Sequence, residues 1–204
     1  NHNASLYGNF AIKQFKFFGE AGISKSGGTG GVFGFTANLS PRLDFAMLLR
    51  SYSRDFHALR GASFAEGSRN INESGIYYGF KYTLNRKFFL SAYYDSFRFP
   101  WLRFRIDTPS EGNDYLIRFN YFPNTAIKTY VQYRKKSRAE NATSPIDGKR
   151  LVSQGEKQQI LANFKFRLNS SLSFKSRLQY SHFSIIDEEN DGYAFIQGAV
   201  YKKR

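Results

Sequence analysis

The chain has 204 residues, with 30 Lys and Arg against 16 Asp and Glu and a formal net charge of +14. It has no cysteine, which excludes a disulfide framework and any thiolate metal site. Aromatic residues reach 18%, yet mean hydropathy is −0.50 and no run of about 18 apolar residues occurs, which excludes a helical membrane span.

Alternation starts at once. Ala4 to Lys13 places Leu6, Gly8, Phe10 and Ile12 on one side, and Lys16 to Lys25 repeats the pattern with Phe17, Gly19, Ala21 and Ile23. A period of two is the signature of a strand with one apolar and one polar face. Ser26 to Gly31 reads as a flexible connector, because it lacks the Gly-Lys-Ser/Thr ending of a phosphate loop. Val32 to Leu39 predicts a third strand, Ser40-Pro41-Arg42 a turn, and Leu43, Phe45, Met47 and Leu49 the start of a fourth. Ser53 to Glu73 keeps no period and reads as a long loop.

Ser74 to Phe97 is the clearest unit. Ile76, Tyr78, Phe80, Tyr82 and Leu84 alternate with smaller or polar residues, Asn85-Arg86-Lys87 turns the chain, and Phe88, Leu90, Ala92 and Tyr94 return. Strands of about ten residues are long for a soluble sheet and suit a tilted bilayer crossing. Phe99 to Gly112 reads as a second long connector. Asn113 to Phe122 and Ile127 to Tyr133 form the next predicted hairpin, turning at Pro123-Asn124-Thr125. Lys135 to Lys157 is polar and reads as turn-rich. Ile160 to Leu168 and Leu172 to Tyr180 pair about Asn169-Ser170-Ser171. The acidic run Asp187-Glu188-Glu189-Asn190-Asp191 reads as a loop within Ile185 to Gly192, before a last strand marked by Tyr193, Phe195, Ala199 and Tyr201.

Short turns near Pro41, Arg86, Asn124 and Ser170 thus alternate with long polar connectors. That inequality is the layout of outer-membrane barrels, with the short turns periplasmic. The expected fold is an all-β antiparallel transmembrane β-barrel region over residues 1–204, with about eleven strands. An odd count, and the absence of a closing aromatic strand at Lys202-Lys203-Arg204, predict a fragment of a larger barrel with strands missing after Arg204. The strand pattern also begins without a leader sequence, so the chain is expected to be mature or a piece of something longer.

The positions opposite the apolar face collect Arg50, Lys81, Arg118, Lys128, Arg134, Lys165, Arg167, Lys175 and Arg177. On a barrel they would face the lumen, since a cation facing lipid at mid-depth costs about 2–4 kcal/mol. Two readings stay open: a conduit favouring anions or nucleic acid, and a lumen whose charge is balanced by acidic neighbours or a plug. Phe99, Trp101 and Phe104, interleaved with Arg98, Arg103 and Arg105, form either a stacking platform for bases or an aromatic loop packed onto its own protein. The acidic run does not follow calcium-loop spacing. His2, His57 and His182 show no zinc spacing, so neither metal nor cofactor is expected. A hydrolase would rest on His182 beside Ser181 and Ser184 alone, and the expectation is a protein that is not an enzyme.

The stretch Arg69-Asn70-Ile71-Asn72-Glu73, the hairpin after it and Phe99-Pro100-Trp101-Leu102-Arg103 together resemble the barrel region of the Bacteroidetes helix-hairpin-helix outer-membrane proteins. These are often labelled ComEA-like after a small N-terminal module of DNA-binding type. The resemblance covers most of the chain and is sharpest over those forty or so residues. It implies a bacterial outer-membrane location, contact with membrane lipid and other outer-membrane proteins, a barrel continuing past Arg204, and DNA uptake or binding as an alternative role. The helix-hairpin-helix module is not in this sequence, and the family supplies no catalytic residues to carry over. The leading expectation is a pore, or a subunit of a larger outer-membrane assembly, with a basic lumen favouring anions.

Overall fold

The computed structural model describes residues 2–58, 64–143 and 150–202. Eleven antiparallel strands form one sheet in simple sequence order, and no helix occurs among the described residues. The strands are β1 (Asn3–Ile12), β2 (Phe15–Ser24), β3 (Thr29–Ser40), β4 (Leu43–Tyr52), β5 (Glu73–Thr83), β6 (Phe88–Phe99), β7 (Ser110–Tyr121), β8 (Ile127–Thr143), β9 (Arg150–Arg167), β10 (Leu172–Ile185) and β11 (Glu188–Tyr201). The sheet is open: β1 pairs only with β2, and β11 only with β10. Both edge strands are exposed along their whole length.

One end of the sheet carries the tight connections 13–14, 41–42, 84–87, 122–126 and 168–171. Three of these share one device. Asn85, Asn124 and Asn169 each turn the side-chain Oδ1 back to accept from the backbone N–H groups two and three residues on, at 2.8–3.1 Å. Asparagine thus stands in for a backbone acceptor and closes the turn locally. The opposite end carries residues 25–28, 53–58, 64–72, 100–109 and the reversal 186–187; residues 144–149 between β8 and β9 lie outside the described residues.

Several boundaries differ from the sequence expectation. The connector read over Ser26 to Gly31 is shorter, because β3 begins at Thr29, and Phe99 is the last residue of β6 rather than loop. Lys135 to Lys157 is largely strand: β8 and β9 run 17 and 18 residues and stay paired from Ile127↔Phe166 to Thr143↔Arg150. The acidic run is no loop either. The chain reverses at 186–187, and Glu188 already pairs with Ile185.

Antiparallel partners directly opposite one another share a face, so the register sorts every strand residue. Phe10, Phe17, Phe35, Met47, Tyr78, Tyr94 and Tyr115 form one continuous apolar row across seven strands. Ring contacts of 5.0–5.7 Å link Phe10 to Phe17, Phe15 to Phe35, Phe17 to Phe35, Phe35 to Phe45 and Phe45 to Phe80. This apolar face stays open: Phe80 is 46% exposed, and Phe33, Ile117, Phe119, Val131, Ile160, Phe164 and Leu178 are exposed too. The polar face is the covered one. Arg50 is 3% exposed and Glu73 1%, with Asp95, Asp114, Asn120 and Asn163 also buried. Glu73 is the largest fully buried side chain among the described residues, the reverse of a soluble core.

Candidate functional site: the polar face

All nine basic residues singled out in the sequence lie on the polar face by register, but they divide into two groups. Arg50 belongs to the first. From two positions before the end of β4, its Nε donates to Glu73 Oε1 at 2.6 Å, and its Nη1 and Nη2 donate to Asp95 Oδ1 and Oδ2 at 2.7 and 3.1 Å. The fork spans β4, β5 and β6, and Asp95 takes the bidentate geometry guanidinium favours while Glu73 holds Nε. Arg134 on β8 pairs with Asp114 on β7 through Nε at 2.9 Å and through Nη2, and the Tyr93 hydroxyl donates to the same carboxylate at 3.3 Å. Lys81 faces Asp44 at 3.5 Å in a more exposed pair. These cations are locally neutralised.

Residues 64–67 of the β4–β5 connector lie across this group. Glu66 and Gly67 donate their backbone N–H groups to the Glu73 carboxylate at 2.8–3.1 Å, and the Glu66 side chain pairs with Lys136 on β8. Phe64 sets its ring 5.2 Å from the Arg50 guanidinium and edge-on to Tyr77 at 5.2 Å, while its carbonyl accepts from the Tyr52 hydroxyl at 2.9 Å. Each Arg50 guanidinium nitrogen thus has an acceptor and one guanidinium face has a ring, which suits the burial of such a charge. This half of the face is strapped.

Connector 100–109 is fastened to the strap. Asn72, in the left-handed region at φ 52°, accepts from Trp101 N–H at 2.9 Å and donates to the Trp101 carbonyl at 2.8 Å. The three aromatic residues singled out here do not form one platform. Phe99 is buried, meets Phe97 edge-on at 5.9 Å, and is covered by the Arg103 guanidinium at 4.6 Å. Trp101 carries Arg54 at 4.9 Å, and Phe104, 87% exposed, carries Arg105 at 5.1 Å. Each ring already has an arginine on one face. Arg103 also donates to the Ala139 carbonyl at 2.7 Å; burial, with Arg138 nearby, holds its pKa below the usual arginine range.

The second group sits at the tight-turn end of β7 to β10. Lys128, Lys165 and Lys175 face one another directly across three strands. Arg167 donates to the Thr125 carbonyl at 2.8 Å, Arg118 donates to Gln132 Oε1 at 2.6 and 2.9 Å and lies over Tyr130, and Lys128 lies 5.8 Å from the Phe122 ring. None of these, nor Arg177, has a carboxylate partner among the described residues. Lys128, Lys165, Arg167, Lys175 and Lys202 line a groove of about 320 Å³ with serine and threonine side chains and no acidic residue. One row inward, Asn163 and Arg177 face each other, and Asn163 Nδ2 and Arg177 Nε are buried without a hydrogen-bond partner.

Of the hydrolase grouping, Ser184 shares the strand face of His182, but His182 makes no hydrogen bond to Ser181 or Ser184 among the described residues. Ser181 and His182 are consecutive strand residues and point to opposite faces. His182 Nδ1 sits 3.0 Å from Asp191 Oδ1, which also accepts from the Tyr180 hydroxyl at 2.8 Å, whereas the Ser181 hydroxyl takes Gln159 and Gln179. Alternation likewise sends Glu188 and Glu189 to opposite faces. No cluster of metal-ligating side chains occurs among the described residues. The buried carboxylates Glu73, Asp95 and Asp114 were not singled out from sequence, where they look like ordinary polar positions. No family model, curated protein or solved structure matches the chain.

Proposed function

We propose that the chain is an integral outer-membrane β-barrel wall acting as a pore, or as a subunit of a larger membrane assembly, with a polar face that favours anions. One observation carries this reading: large apolar side chains are exposed along a whole face while Arg50, Glu73 and Asp95 are buried on the other. A sheet in water turns its Phe and Leu inward, whereas a sheet in lipid turns them out and keeps charge on the lumen side. Unpaired strand edges are costly in hydrocarbon, so in this reading further strands meet β1 and β11 and close the cylinder. The barrel would be constricted on the strapped half and open beside the basic groove.

The chain lacks cysteine, so single substitutions give clean reporters. Phe80→Cys and Phe164→Cys, on the apolar face, should react in lipid vesicles with a bilayer-restricted maleimide and resist a water-soluble one. Ser91→Cys, on the polar face, should show the opposite preference. Equal access of the water-soluble reagent to all three in intact vesicles would end the membrane reading. Anion-selective conductance of the same vesicle-borne protein in planar bilayers tests the pore itself. A DNA-handling component is the second reading, favoured by the carboxylate-free cations at the β8–β10 turns; DNA binding that weakens steeply with salt would mark it.

A further inference from the structure

We propose that the groove at the tight-turn end of β8, β9 and β10 is a binding site for a small, water-borne, multiply charged phosphate compound of the pyrophosphate class. Lys128, Lys165 and Lys175 occupy one cross-strand row, where side chains stand about 4.5–5.5 Å apart at Cβ and like charges repel. The same sheet neutralises Arg50 with two carboxylates and Arg134 with one. It places no carboxylate in the lysine row or in either flanking row.

The surroundings suit an oxyanion. Arg167 adds a guanidinium, Lys202 a further ammonium, and Ser170, Ser171 and Ser173 line the same groove. Asn163 and Arg177 hold buried donors without acceptors one row inward. At about 320 Å³ the groove is at the small end of ligand pockets and has room for two linked phosphates. Its position on the polar face, away from the exposed aromatic band, selects a solute over a lipid headgroup. The inference rests on the anion-favouring reading of that face. It does not need the sheet to stand in a membrane, so detergent-solubilised full-length protein tests it separately from the labelling experiment.

Pyrophosphate titrated by calorimetry into the protein in zwitterionic detergent should bind at one site, and binding should weaken steeply as salt rises. Lys165→Gln should lower affinity about ten-fold or more, the scale of losing a charge-assisted hydrogen bond, and Lys165→Arg should retain most of it. Lys87→Ala, in the β5–β6 turn, should change nothing. Without ligand, Lys165→Gln should melt no lower than the parent, since it relieves like-charge repulsion; a failure to bind therefore cannot be unfolding. Absence of saturable binding, or equal binding by Lys165→Gln, overturns the site. Nanodiscs separate the sources of phosphate: binding in both zwitterionic and anionic-lipid discs supports a solute, and loss in anionic discs alone overturns that choice in favour of a headgroup.

Discussion

Arg50 and Gly75 face each other across β4 and β5, and the guanidinium fills the space that a side chain on Gly75 would take. A Cβ there would lie 2.6 Å from Arg50 Cζ and 2.8–2.9 Å from both terminal nitrogens. Arg50 has no slack, since all three of its nitrogens are held by Glu73 and Asp95. Gly75→Ala should therefore destabilise the sheet by about 1–3 kcal/mol, the range for forcing extra volume into a packed site. A lower urea midpoint with unchanged slope would record it; an unchanged midpoint would mean that the fork can move aside.

The fork should also behave asymmetrically. Arg50→Met leaves Glu73 and Asp95 buried without their cation, and removing one partner of a buried pair costs about 3–5 kcal/mol. Glu66 and Gly67 N–H groups still reach Glu73, so Asp95 is the more exposed to the loss. Arg50→Met combined with Glu73→Gln and Asp95→Asn should recover much of that stability, because no uncompensated charge remains. Unfolding of the single and triple variants in detergent measures the difference. A triple variant no better than the single one would show that the charges themselves hold the strands together.

Some of this was readable from sequence and some was not. Alternation located the apolar face wherever a strand has apolar residues to alternate, and the asparagines at 85, 124 and 169 marked turns by chemistry that works within three residues. Lys135 to Lys157 hid its strand because it is polar on both faces, so no period of two survives although the ladder continues. Asp187 to Asp191 misled for the same reason. The carboxylates were invisible as partners because Arg50 meets Glu73 and Asp95 across 23 and 45 residues of chain. Only the register decides that Arg50 and Arg134 are neutralised while Lys165 is not.

Ile186 is a local weak point. It opens the β10–β11 reversal at φ 51°, a left-handed conformation that costs an ordinary residue about 1–2 kcal/mol and suits a β-branched one least. Ile186→Asn or Ile186→Gly should raise the stability of this hairpin by about 1 kcal/mol. Slower cleavage by a protease of broad specificity at the reversal, with an unchanged cleavage pattern elsewhere, checks the prediction. Ile186 is 40% exposed, so little packing is lost to mask the gain.

Asn72 is the fastening between the two long connectors. Its amide takes the Trp101 N–H and returns a donor to the Trp101 carbonyl, while its own backbone N–H reaches the Ser53 carbonyl at 3.1 Å. Asn72→Ala removes all of these side-chain bonds, the Nδ2 contact to the Leu102 carbonyl included, and leaves a non-glycine residue without asparagine's tolerance of positive φ. Asn72→Gly keeps the conformation and removes the bonds, so the two variants separate the contributions. Both should release residues 100–109, giving faster tryptic cleavage after Arg103 and Arg105. Trp101 is the single tryptophan and lies under Arg54, so its emission should shift as that stack loosens. If only Asn72→Ala does this, backbone conformation is what fastens the connectors; if neither does, the strap and the aromatic connector are held by their other contacts.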